Sequence, residues 1–371
     1  MIKKRILIFV NNEYAALAMK SHIQKKNKTV DVVIEKRLSG NHARRVEIIK
    51  TILNDKDINK PIIISRPKLF NFFSINSIFN FSKITSNLII KKKILKKLNH
   101  KKIDIDNYDE ILITNDLISK LVIKNYEIKL KYFFHGWGDI IHLKKSNNFI
   151  NHLKSFLALK ILNYYLVFHH KNIKFYNFFN SVYNKEIFNL PNLINKKIYK
   201  KNLFNFTKNI SIKKKIFNPL IISEIFVAKY ITINDAKTIL NFYIKRLSKY
   251  INKYKIKNVI LKPKLNYNKK HLRLFKEIFS KNYPSIKIYS IFQIFDKHIP
   301  LEAALIINKP CYFLSTGTTA EYVIKRLSLT KQIKFINAYN FIEKSKYQLL
   351  KSKLDLAKEK NTKLIIDTIN T

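Results

Sequence analysis

The sequence predicts an α/β protein built from two Rossmann-like parallel-sheet domains. Three observations carry that prediction. Short, continuously apolar runs alternate with longer segments whose apolar residues recur at helical spacing. Strand-like runs without polar interruption belong to sheets covered on both faces, and helices between them imply parallel pairing. The alternation breaks once, over a lysine-rich stretch near the middle of the chain, and then restarts.

The first series opens with "RILIFV" (5–10), a strand, and "EYAALAMKSHIQ" (13–24), a helix. "VDVVIE" (30–35) and "HARRVEIIKTIL" (42–53) repeat the pair, and "PIIIS" (61–65) reads as a third strand. Residues 67–100 are aromatic and polar without clean periodicity, so loop, short helices and acceptor-facing insertion stay open there. "EILIT" (110–114), "LKYFF" (130–134) and "YYLVF" (164–168) continue the strands. Residues 195–218 carry many lysines and no evident period, and the domain linker is placed there. The second series runs through strands "PLIIS" (219–223), "NVILK" (258–262), "SIKIYS" (285–290), "PCYFLS" (310–315) and "IKFIN" (333–337). Helices are expected at 235–254, 269–279, 300–307, 316–327 and 345–360. The expected division is an acceptor-side domain over 1–205, a nucleotide-sugar domain over 206–345, and a terminal helix over 346–371 that packs back towards the first domain. Two such sheets facing a cleft, with a late helix, describe the GT-B architecture of nucleotide-sugar glycosyltransferases.

Composition narrows the function classes. The formal charge is +48, from 72 Lys+Arg against 24 Asp+Glu. Only eight of the cations are arginine, the residue suited to bidentate phosphate and base contacts, and they are spread along the chain. A solvated lysine surface is therefore expected, with an anionic membrane as the next partner and nucleic acid disfavoured. The lone Cys311 excludes an internal disulfide and a cysteine-based zinc cluster, and fits a reducing cytoplasmic setting. No apolar run approaches the length of a membrane span, and the apolar start is too short for a secretion signal.

Ligands of open parallel sheets sit beyond the carboxyl ends of the strands, so three strand-end loops are the candidates. The first is "HGWGD" (135–139), which holds two of the four glycines in the chain. Gly136 and Gly138 permit a tight loop that aims His135 and Asp139 into one site, where either could take a proton from a hydroxyl. A plain turn is the alternative. The second is "KPKL" (262–265), where Pro263 turns the chain off the strand and leaves Lys262 and Lys264 as cations at its end. Two more surface lysines would look the same. The third is "STGTT" (315–319), whose Ser315, Thr316, Gly317, Thr318 and Thr319 precede a helix. Thr318 and Glu321 have capping-box spacing, and a helix start rich in N–H and hydroxyl groups suits a phosphate. Glu302, in "PLEAAL", is either a partner for a ribose diol or a first-turn glutamate placed by the helix dipole.

These loops, in this order, resemble those of bacterial sialyltransferases and α-2,8-polysialyltransferases of GT-B fold. "FHG" (134–136) stands where that family has an acidic-acidic-Gly motif, "KPKL" where it has Lys-Pro-His-Pro, and "STGTT" where it has a Ser/Thr-rich turn. The resemblance spans about 109–327 at the level of pattern. It implies a CMP-activated, sialic-acid-like donor, a glycan or glycolipid acceptor in surface polysaccharide synthesis, inverting transfer, and no metal or other cofactor. The sequence departs from the family at two places. The base must be His135 or Asp139, and Lys264 stands where the family's histidine supports the departing phosphate. The His-Gly loop also resembles CDP-glycerol glycerophosphotransferases, which use a histidine base and a cytidine donor too. With the family's acidic pair and histidine both replaced, a non-catalytic nucleotide- or glycan-binding protein on the same frame is a further alternative.

Overall fold

The computed structural model describes residues 4–23, 28–36, 43–66, 81–114, 116–123, 130–133, 174–177, 192–223, 233–263, 269–295, 299–308, 312–315, 324, 327 and 334–337. They fall in two compact units, Met1–Asn202 and Leu203–Thr371. Each is organised by one all-parallel sheet.

The first sheet contains β1 (Lys4–Val10), β2 (Lys28–Lys36), β3 (Ile62–Ser65), β4 (Glu110–Ile113), β5 (Leu130–Phe133), β6 (Lys174–Asn177) and β7 (Asn192–Leu193), in the order β3-β2-β1-β4-β5-β6-β7. β1 is central, and Ile6, Leu7, Ile8, Phe9 and Val10 are all buried, as an unbroken apolar run requires. Its helices are α1 (Glu13–Ile23), α2 (Ala43–Ile52), α3 (Phe81–His100) and α4 (Leu117–Val122).

A further helix, α5 (Lys196–Lys208), occupies part of the lysine-rich stretch read as the linker, which lacked a visible period. Tyr199, Asn202, Leu203 and Phe206 recur at helical spacing and are all buried, while the lysines between them are exposed or half-exposed. The stripe is short and hidden among cations, which is why the segment lacks visible period. Asn195 starts the helix by accepting from the N–H groups of Lys197 and Ile198. Asn202 Nδ2 then donates to Ser21 Oγ on α1 at 3.1 Å.

The second sheet contains β8 (Leu220–Ser223), β9 (Asn258–Lys262), β10 (Lys287–Ser290), β11 (Tyr312–Ser315) and β12 (Lys334–Asn337), in the order β10-β9-β8-β11-β12. Numbered from its own first strand, this is the 3-2-1-4-5 order that also opens the first sheet. One topology is therefore used twice, although no sequence repeat betrays it. The expected fold class, α/β with two Rossmann-like parallel sheets, is the one observed.

Helices α6 (Ile233–Lys253) and α7 (Lys269–Asn282) cover one face of the second sheet. α6 contributes Leu240, Tyr243, Ile244, Leu247 and Ile251, and α7 contributes Leu272, Phe275, Ile278 and Phe279. They pack on Leu220, Ile222, Val259 and Leu261, residues that alternate along β8 and β9. Each such side chain contributes roughly 1.5–3 kcal/mol when fully buried. Tyr283 OH donates to the Ile244 carbonyl at 3.1 Å and fastens α7 to α6. α8 (Ile291–Ile294) and α9 (Leu301–Asn308) complete the described helices of this unit.

Two helices end on lysine in a conformation usually given to glycine. Lys102 (φ 57°) follows α3 and Lys255 (φ 48°) follows α6. The next residue, Ile103 or Ile256, donates back five residues to Leu98 or Ile251, at 3.0 and 3.1 Å, and buries its side chain.

The amino ends of the first sheet are clamped by charge. Glu110, buried at the start of β4, accepts from His22 Nε2 at 2.6 Å and Lys131 Nζ at 2.7 Å, both on Oε1. Lys4 Nζ lies 3.2 Å from Oε2. Burial alone would raise the pKa of this carboxyl; the hydrogen bonds and charges of His22 and Lys131 overcome it and hold Glu110 well below the ordinary carboxylate range. A group depressed in the folded state adds stability above its unfolded pKa, and that stability is lost as pH falls towards the folded value. Glu110→Ala is expected to lower the unfolding free energy by about 3 kcal/mol near neutral pH, measured by urea denaturation. The gap from the native protein should narrow as pH drops below about 4.

Candidate functional site

In both sheets the strand order reverses beside the first strand, between β1 and β4 and between β8 and β11. The crevices of parallel sheets open at such switch points, beyond the carboxyl ends. The residues at these two edges are therefore the ones to compare.

The carboxyl edge of the second sheet is polar in register. Lys262 ends β9 and pairs with Ser223, the last residue of β8. Leu314 pairs with Ile222, which brings Ser315 level with Ser223, and Ser315 pairs with Asn337. Neighbouring strands lie about 4.8 Å apart, so Lys262 and Ser315 stand two strands, about 10 Å, from each other along one edge. The sheet thus brings together one predicted residue from each of two loops. It adds Ser223, whose signal was the polar end of "PLIIS".

Lys262 is buried rather than one more solvated lysine, and Pro263 after it is buried too. Glu302 occupies the first turn of α9, which begins where Ala304 N donates to the Pro300 carbonyl at 3.1 Å. It is 0% exposed, unlike a glutamate held at a helix start by the dipole alone. Both side chains are engaged with other groups of the chain. Ser290, at the end of β10, serves as a cap: its Oγ accepts from Phe292 N, and its own N–H donates to Gln293 Oε1 at 2.7 Å. Lys264, Thr316, Gly317, Thr318 and Thr319 lie outside the described residues.

On the first sheet, β5 is described over Leu130–Phe133, within the strand expected at 130–134. His135, Gly136, Gly138 and Asp139 lie outside the described residues. The same edge carries a buried polar cluster that sequence reasoning missed. Asn11, Asn12 and Glu13 follow β1, Glu35 is near the end of β2, and Thr114 and Asp116 follow β4; all six are buried.

Members of this cluster bond to one another and to the helix starts beside them. Asn12 Oδ1 accepts from Ala15 N at 2.8 Å and caps α1. Asn12 Nδ2 donates to Asn11 Oδ1 at 3.0 Å. Asp116 accepts from Ser119 N and Ser119 Oγ, both at 2.7 Å, and caps α4. Glu35 Oε2 accepts from Leu117 N at 2.6 Å and from Ile118 N at 3.3 Å, across the sheet from its own strand. Arg45 Nε stands 3.0 Å from Glu13, and Arg66 Nη1 stands 3.6 Å from Glu35.

This arrangement has a chemical consequence. A helix start is a ready anion site only while its N–H groups remain unclaimed. Here Asn12 takes the N–H of Ala15 in α1, and Glu35 and Asp116 take those of Leu117, Ile118 and Ser119 in α4. The turn after β1 also lacks the glycines that let a pyrophosphate approach the backbone in dinucleotide-binding folds. Among the described residues, these helix starts at the carboxyl edge of the first sheet are thus occupied by the protein's own acceptors. That of the second sheet ends in the buried Lys262, with Ser223 and Ser315 level with it in the strand register.

No family model matches the sequence, and no curated protein matches it. Solved structures do. The chain is similar to a UDP-GlcNAc 2-epimerase from Neisseria meningitidis bound to UDP-GlcNAc, at 11% identity over 99% of each chain, with a TM-score of 0.42. It is similar to an α,α-trehalose-phosphate synthase (UDP-forming) from Burkholderia vietnamiensis, at 8% identity over 99% of this chain and 96% of that one, with a TM-score of 0.43. A 2,6-sialyltransferase from a Photobacterium species, in complex with CMP and lactose, matches at 9% identity over 90% of this chain and 78% of that one, with a TM-score of 0.34.

The buried polar cluster of the first sheet makes a stability prediction. Glu35→Ala strips two N–H groups of α4 and one guanidinium of their acceptor. It is expected to cost about 2–3 kcal/mol, read from the urea midpoint. Ser119→Ala, which removes one donor to Asp116 and leaves the backbone cap, should cost only about 1 kcal/mol.

Proposed function

We propose that the protein is a glycosyltransferase of GT-B type that moves a sialic-acid-like sugar from a CMP-activated donor to a glycan or glycolipid acceptor in surface polysaccharide synthesis. The observation that carries the reading is the contrast between the two carboxyl edges. At the first, among the described residues, Asn12, Asp116 and Glu35 already accept from the N–H groups of the helix starts. The second ends in Lys262, Ser223 and Ser315. The phosphate-bearing donor is therefore assigned to the C-terminal unit and the acceptor to the N-terminal one.

The proposed step is direct displacement. His135, or Asp139, takes the proton of an acceptor hydroxyl. The hydroxyl oxygen forms a bond to the anomeric carbon as the bond from that carbon to the CMP phosphate oxygen breaks. The electron pair departs on CMP. Lys262 and Lys264, with Ser315, Thr316, Thr318 and Thr319 around Gly317, stabilise the charge that develops on that phosphate. A lysine can do this by charge alone, so the replacement of a histidine by Lys264 is compatible with an anionic leaving group. Glu302 is assigned to the ribose hydroxyls, and its shielding from water strengthens such hydrogen bonds. Gly136 and Gly138 shape the loop that presents the base. We place the enzyme on the cytoplasmic side of the membrane.

A second reading, transfer of glycerol phosphate from CDP-glycerol, is favoured by the His-Gly pair at 135–136. One assay separates the two. The protein is incubated with CMP-sialic acid, CMP-Kdo, CDP-glycerol or UDP-N-acetylglucosamine, and released nucleotide is quantified. Release of CMP from a CMP-sugar supports the main reading, release from CDP-glycerol alone supports the second, and release of UDP overturns the donor assignment. With the productive donor, His135→Ala should lower kcat by roughly 10²- to 10⁴-fold at an unchanged circular dichroism spectrum. Full turnover in that variant would remove His135 as the base.

A further inference from the structure

Phe217 is 80% exposed, more than any other large apolar side chain among the described residues. It stands in the segment between α5 and β8, separated by the buried Ile216 from Lys213, Lys214 and Lys215, all exposed. Lys214 Nζ lies 4.7 Å above the ring of Tyr289. Isolated exposed apolar residues are ordinary, but this one is held in place. Asn218 beside it adopts φ 43°, a left-handed turn conformation that asparagine accepts more readily than most residues. Asn258 Nδ2 donates to the Phe217 carbonyl at 3.5 Å.

That last bond sets the tip over the amino ends of β9 and β10. Lys257 precedes Asn258, Lys287 is the register partner of Asn258, and Lys287 N donates to the Lys257 carbonyl at 3.1 Å. Lys255 occupies the left-handed turn just before. All three lysines are exposed. No aspartate or glutamate occurs within 203–223, 250–262 or 280–290, the segments that build this corner. Among the described segments of this corner, one projecting aromatic side chain thus stands with several exposed lysines and no carboxylate.

We infer that this lysine-ringed tip docks the protein on an anionic lipid surface, with Phe217 entering the headgroup layer and Lys215, Lys255, Lys257 and Lys287 meeting lipid phosphates. The partner must be anionic, and it must reward burial of an apolar ring. Single-stranded nucleic acid meets the first condition, but its binders set several stacking rings along a groove and favour arginine. Here one ring stands on a convex corner among lysines. The inference is independent of the donor and of the proposed reaction.

The test is co-sedimentation with vesicles of phosphatidylcholine mixed with phosphatidylglycerol, against vesicles of phosphatidylcholine alone. The native chain should bind the anionic vesicles and not the neutral ones. Phe217→Ser should weaken binding about tenfold or more. The triple change Lys255→Gln, Lys257→Gln, Lys287→Gln should weaken it about a hundredfold. A matched loss of charge elsewhere, Lys92→Gln, Lys93→Gln, Lys96→Gln on α3, should leave it within a fewfold. Every substituted side chain is exposed, so the thermal midpoints should stay together. Phe217→Leu discriminates the partner, because an aliphatic side chain still enters lipid but cannot stack on a base. Unchanged binding by Phe217→Ser overturns the proposal, as does equal weakening by the α3 control, which would mean diffuse attraction. Failure of Phe217→Leu together with displacement of vesicles by oligouridylate would assign the tip to nucleic acid instead.

Discussion

Scarcity of negative charge governs how this chain is put together. With 24 carboxylates against 72 lysines and arginines, repulsion opposes any compact state, and each carboxylate matters more than usual. The described carboxylates that are buried stand at the edges of the sheets and the starts of helices. Glu110 gathers Lys4, His22 and Lys131 at one end of the first sheet. Glu13, Glu35 and Asp116 tie the other end. Glu302 sits in the first turn of α9. The lysines are mostly left to water, with the buried Lys91 and Lys262 as exceptions among the described residues.

Two sheets of one topology end differently, and the difference follows from what each edge is given to hold. The first sheet carries, at its carboxyl edge, amide and carboxylate side chains that accept from N–H groups of α1 and α4. The second spends its one described self-capping residue, Ser290, on the four-residue helix α8. Its remaining strand ends carry a lysine, two serines and an asparagine. The same backbone plan thus carries different residues at its two described strand ends.

Much of the fold was legible because continuous apolar runs survive heavy substitution by lysine. β1, β2, β4, β8 and β9 stand out as blocks of Ile, Leu, Val and Phe, and their covered faces explain why no alternation is needed. The helices α3 and α5 were not legible, because their buried stripes, Ile94 with Leu98 and Tyr199 with Leu203, are narrow and interleaved with cations. The short strands β6 and β7 carry too few residues to signal themselves. Of the candidate site, the rule that ligands sit after strands found Lys262 and Ser315, and the first-turn position singled out Glu302. Ser223 and the Asn11–Asp116 cluster escaped because their members meet only through the sheet; nothing in the linear order joins Glu35 to Leu117. The loop bearing His135 and the turn bearing Thr318 were singled out by their glycines and lie outside the described residues.

Lys102 and Lys255 close α3 and α6 where glycine would do so without steric penalty. A chain with four glycines meets such demands with whatever residue it has, and each left-handed lysine costs about 1 kcal/mol. The two helix ends are therefore local weak points, and glycine at either position would relieve the penalty without disturbing either sheet.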